Sequence, residues 1–113
     1  MKKIFPLLVL ALACTLPSEA DTREAQRLTR EAESYQRKAD SYRREAKYYQ
    51  DKAENYTDEA NYYIRRGDAD RAVSQLNYAK NALDSYKTQI RYAKDAESRA
   101  KDYLDRAKRE MNR

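Results

Sequence analysis

Eleven tyrosines and one cysteine are the most reactive side chains in this 113-residue sequence, and the groups that would activate them are missing. With no histidine and no tryptophan, the chain cannot assemble a Cys-His or Ser-His-Asp relay, an ordinary zinc set, or the Glu-x-x-His pairs of a di-iron bundle. Its one glycine, Gly67, cannot make a phosphate-cradling loop, because such loops need several positions where backbone approaches closely. Carboxylate pairs such as Asp68 and Asp70 could hold a cation, but helix capping and surface solvation account for them. These absences point to a chain that is not an enzyme and has no cofactor, no metal and no small-molecule substrate.

The elements that carry the tyrosines follow from a seven-residue repeat. Starting at Ala25/Leu28, pairs three apart recur at Ala32/Tyr35, Ala39/Tyr42, Ala46/Tyr49, Ala53/Tyr56 and Ala60/Tyr63. This is a helical seam with Ala at position a and Tyr or Leu at d, and charged residues fill the positions between. The composition agrees: 38% charged, one Gly, two Pro and a mean hydropathy of -1.18 describe a long solvated helix rather than a broad globular core. The repeat stops at Arg66-Gly67-Asp68, where Gly can take the left-handed conformation that ends a helix and Asp can cap the next one. That tripeptide also spells an adhesion motif, but a helix stop and restart needs the same three residues. Beyond it the stripe resumes at Ala72, Leu76, Ala79, Leu83, Tyr86, Ile90, Ala93, Glu97, Ala100, Leu104, Ala107 and Met111.

Folding about Gly67 and Asp68 sets residue i opposite a residue near 135 or 136 minus i, which opposes large to small in nearly every layer. Leu28 then faces Ala107, Ala32 faces Leu104, Ala53 faces Leu83 and Ala60 faces Leu76, as close packing requires. Tyr49 opposite Tyr86 and Ala39 opposite Glu97 are the exceptions, with Ala96 placed to fill the second gap. The expected fold is all-α: a long antiparallel two-helix coiled-coil hairpin with helices over about 22–66 and 69–111, a turn at 67–68, and dimerisation into a four-helix bundle as one route to further burial.

A second stripe carries Tyr48, Tyr62, Tyr78 and Tyr92 at c, and Ala82, Ala96 and Tyr103 at g. In an antiparallel pair the g edges meet, so these residues share one broad face, with Tyr62 level with Tyr78 and Tyr48 with Tyr92. A two-helix hairpin with an alanine seam buries little, so the face formed by Tyr48, Tyr62, Tyr78, Tyr92 and Tyr103 is the expected contact with another copy or another helical protein. Asn55-Tyr56-Thr57 has the form of a glycosylation sequon but lies mid-helix with Tyr56 in the seam.

Residues 1–20 read as an export signal: Lys2 and Lys3, an apolar run from Ile4 to Ala13 broken by Pro6, then Ser18 and Ala20. The run is about half the roughly twenty residues a membrane span needs. Either Cys14 is lipidated, after Leu10-Ala11-Leu12-Ala13, or cleavage follows Ala20 and removes it; residues 21–113 form the hairpin in both cases. Without residues 1–20 the balance is 22 Lys and Arg (24 less Lys2 and Lys3) against 18 Asp and Glu (19 less Glu19). This +4 is spread in mixed sign over both arms rather than gathered as nucleic-acid binding requires.

Residues 56–86, with Tyr56, Tyr62, Tyr63, Arg66-Gly67-Asp68, Arg71-Ala72, Tyr78-Ala79 and Leu83-Asp84, resemble an archaeal family of uncharacterised helical-hairpin domains, which implies a helix-turn-helix of this kind. The order of signal, early Cys and Ala-rich heptads is similar to that of small bacterial outer-membrane lipoproteins that form coiled coils, which implies anchoring through Cys14. Neither resemblance assigns a functional residue. The expected function is an exported structural spacer of the cell envelope, roughly 65 Å long for arms of about 44 residues at ~1.5 Å rise. The alternative is a module that binds a helical partner through the tyrosine face. The expected location is the periplasm, envelope or extracellular space.

Overall fold

The computed structural model describes residues 19–112, and side chains from residue 21 onward; the apolar run and Cys14 lie outside the described residues. Among the described residues the fold is an all-α helical hairpin of two helices, α1 (Glu19–Arg65, 47 residues) and α2 (Ala69–Met111, 43 residues). Helix α1 begins three residues earlier than the heptads indicate. Asp21 in its first turn favours this, because negative charge is stabilised at a helix N-terminus.

The reversal uses no spare residue. Gly67 has φ +78°, and its amide donates to the Ile64 carbonyl at 3.0 Å while the Asp68 amide reaches back to the Tyr63 carbonyl at 2.9 Å. These two bonds satisfy carbonyls that the end of α1 would otherwise leave open. Asp68 also starts α2: its carboxylate Oδ1 accepts the Arg71 amide at 3.1 Å, and its carbonyl accepts the Ala72 amide.

The helices pack in two units, one of Asp40–Lys94 and one of the residues up to Ala39 with those from Asp95 onward. In the latter, Ala25, Leu28, Ala107 and Met111 form one buried cluster and Ala32, Ala100 and Leu104 another. These are the large-against-small layers expected from the arithmetic about the turn. Ala39 and Ala96 are both buried and Glu97 is only partly so, so Ala96 takes the inward place.

In Asp40–Lys94 the seam differs from the expected one. Ala46, Ala53, Ala60, Ala72, Ala79, Ala82 and Ala93 are buried, whereas Leu76 and Leu83, expected opposite Ala60 and Ala53, stay 45% and 44% exposed. The inward line of α2 runs through g in place of a: Ala82 lies inside and Leu83, one residue on, lies on the flank. Alanines every seventh residue let two backbones approach closely, and at close approach the inward position takes a small side chain. Toward its C-terminus α2 buries Leu104 and Met111, which are a positions, so the inward line has moved one residue later. Helix α1 keeps position a inward from Ala25 to Ala60.

Two predictions follow from these positions. Gly67→Ala places a Cβ in open space but in a backbone conformation that costs about 1–2 kcal/mol, so thermal unfolding should move down by several degrees, with Gly67→Asn losing less. Leu28→Ala should cost about 2–5 kcal/mol in urea unfolding, whereas Leu76→Ala should cost less than about 1 kcal/mol. Equal losses at the two leucines would restore the seam through position a.

Candidate functional site

The tyrosines divide into two sets. Tyr48, Tyr62, Tyr78 and Tyr92 are 43–53% exposed, as expected for an outer stripe. Tyr103, assigned to the same face, is only partly exposed: it packs on both buried clusters and stacks on Tyr35, with ring centroids 5.6 Å apart and planes 14° from parallel. Helix α2 at this level has turned its inward line toward position a, which moves its g residue from the centre of the seam to its edge, where the Tyr103 ring covers both clusters.

Within Asp40–Lys94 the outer rings make their contacts with seam tyrosines rather than with one another. Tyr78 leans on the seam ring Tyr56 (5.4 Å) and Tyr92 on the seam ring Tyr42 (5.4 Å), each joining the two helices. Tyr48 and Tyr62 turn edge-on to their sequence neighbours Tyr49 and Tyr63, at 5.3 Å in both cases. Such tilted and edge contacts set the positive ring edge near a negative face and add about 0.5–1.5 kcal/mol to simple burial. This geometry was hidden in the sequence, because c-to-d contacts between helices depend on which edge α2 turns inward.

Cations cover the ring faces. Lys52 Nζ sits 5.3 Å from the Tyr48 ring centre and 5.9 Å from that of Tyr56, and Arg66 lies 5.3 Å over Tyr62. A hydrogen bond with Tyr48, followed by charge attraction to Tyr48 and Tyr56, holds the Lys52 ammonium above the ordinary lysine range. Tyr49, Lys52, Tyr56, Tyr78, Asn81, Ala82 and Ser85 line a shallow open groove in this unit. Its chemistry is that of a contact surface: aromatic faces for apolar and cationic groups, with an amide and a hydroxyl at the rim.

The remaining sequence candidates have structural places. Gly67 and Asp68 form the turn, and Asp68 serves as a cap, with Arg71 at 3.4 Å. Thr57 of the sequon donates its hydroxyl to the Ala53 carbonyl at 2.9 Å within α1. Cys14, the lipidation candidate, lies outside the described residues. Among the described residues no helix is long and apolar enough to cross a membrane, and no three His, Cys, Asp or Glu side chains cluster as a metal site.

The two sets of tyrosines should separate in unfolding experiments. Tyr103→Ser removes a ring from two clusters and should cost about 2 kcal/mol or more, whereas Tyr62→Ser gives up one exposed edge contact and should cost about 1 kcal/mol or less. Compared with protein-family models, with curated proteins and with solved structures, the chain shows no significant match.

Proposed function

We propose that the chain is an exported, non-catalytic structural protein of the cell envelope, working as a helical spacer that joins to further copies through its outer tyrosine face. The observation that carries the contact role is the inversion in Asp40–Lys94. Its buried side chains are alanines, while Tyr48, Tyr62, Tyr78 and Tyr92 stand exposed. Seven buried methyl groups contribute little against the entropy of ordering such a unit, and small folds of this kind gain stability by association. The export role rests on Lys2, Lys3 and the apolar run to Ala13, with anchoring through a lipidated Cys14 or release after Ala20. The non-catalytic role rests on the lack of any histidine and the single cysteine.

A second reading has the same face engage a different helical protein. It draws on the alternation of ring faces and cations, which suits a helix laid across it. Neither reading assigns nucleic acid or a small molecule as partner.

Mass spectrometry of the mature N-terminus should find either a lipidated Cys14 or an unmodified Asp21; an intact Met1 in the envelope fraction would overturn export by this signal. Sedimentation velocity should show association in the parent chain that Tyr48→Ser with Tyr92→Ser reduces at least tenfold. Unchanged association in that variant would remove the tyrosine face from the contact. If the parent is monomeric yet is retained by an envelope protein only when the tyrosines are present, the second reading replaces the first.

A further inference from the structure

Two more stripes run along Asp40–Lys94, and each has what the other lacks. On α1, Tyr48, Asp51, Asn55, Asp58 and Tyr62 follow one another at spacings of three and four, all exposed. From 48 to 62 the chain holds Asp51, Glu54, Asp58 and Glu59 against Lys52 alone, a balance of -3. On α2, the seam through Ala82 leaves on its flank a line of Val73, Leu76, Lys80, Leu83, Lys87, Ile90 and Lys94, again at three and four, all exposed except the half-buried Ile90. From 73 to 94 it holds Lys80, Lys87, Arg91 and Lys94 against Asp84, a balance of +3.

We infer that the lysine-aliphatic stripe of α2 docks on the acidic tyrosine stripe of α1 in a second copy of the chain. Charge complementarity names the occupant. Asp58, Glu59, Lys87 and Lys94 have no ion-pair partner among the described residues, and the pairs that Asp51 and Lys80 make, with Lys47 at 2.8 Å and Asp84 at 3.5 Å, are exposed and weak. Either stripe set against its own kind opposes like charges. The seven-residue period is that of a helix seam; a membrane surface would call for a broader apolar arc.

Spacing and charge together set the direction. Run antiparallel, the two stripes keep step residue for residue: Asp51 meets Lys87, Asp58 meets Lys80, and Tyr48 and Tyr62 lie on Ile90 and Leu76. Run parallel, the stripes keep step only in registers that set Asp51 and Asp58 on aliphatic side chains such as Leu76 and Leu83, and leave the lysines without a carboxylate. Because the stripes are different surfaces of one chain, the contact is head-to-tail, and each docked copy leaves one stripe free for the next. This inference rests on the self-association proposed above and names the surfaces that carry it.

The test is sedimentation velocity on the full chain from micromolar to millimolar concentration, with two charge-reversed variants, Lys80→Glu/Lys87→Glu and Asp51→Lys/Asp58→Lys. The parent should grow beyond a dimer with concentration and dissociate in about 0.5 M salt, where screening acts over a few ångströms. Each variant alone should lose at least tenfold in association, because its two stripes then carry the same sign. Mixed in equal amounts, the variants should associate again, and circular dichroism should show both as helical as the parent. If the variants associate as well as the parent, this contact is wrong while self-association stands. A parent that stays monomeric throughout overturns both, and binding to anionic vesicles in place of self-association assigns the lysine stripe to lipid and overturns the inference.

Discussion

The reversal at Gly67 and Asp68 is the constraint on which everything else depends. Asp68 ends α1 through its amide and begins α2 through its carboxylate and carbonyl, so there is no loop to absorb a change in register. A turn without slack sets which residues share a level. In the unit of the chain ends that level brings Leu28 to Ala107 and Leu104 to Ala32, so large and small side chains fill one another's space. The left-handed conformation at Gly67, which other residues adopt only with strain, therefore bears on contacts many residues away.

Alanine is the second determinant. It is the best helix former and the smallest side chain that still excludes water, so a seven-residue alanine repeat lengthens helices and narrows the gap between them together. In Asp40–Lys94 this narrowing moves the inward line of α2 onto Ala82 and leaves Leu76 and Leu83 outside. An exposed leucine forgoes about 1.5–3 kcal/mol that burial would supply. The same alanines that close the seam thus create the lines of apolar and charged residues on its flanks.

The tyrosines link these two effects. Tyr56 and Tyr42 in the seam hold Tyr78 and Tyr92 across the helix pair, and Lys52 bridges Tyr48 and Tyr56, so the outer face is a braced surface rather than a row of independent side chains. A preorganised aromatic surface loses less conformational entropy when a partner arrives. This suits a contact role for residues that might otherwise be taken as spare phenols.

Much of this was legible in the residues. The six Ala-led pairs from Ala25 to Tyr63, the interruption at Gly67 and the capping side chain of Asp68 identified two helices, their turn and their boundaries to within three residues, because helix periodicity and left-handed glycine are local properties. The outer tyrosines at position c were legible for the same reason. What periodicity could not distinguish was a from g on α2, since Leu76 and Leu83 on one side and Ala82 and Ala96 on the other both continue a line through Ala72 and Ala79. Hydrophobicity favours leucine there, and only the spacing between two helices selects alanine. The sequence by itself therefore determined the helices, the reversal and the identity of the α1 seam. The tertiary structure alone decided which edge of α2 faces inward, which tyrosines brace one another and which aliphatic side chains remain outside, because those outcomes depend on how closely two backbones approach.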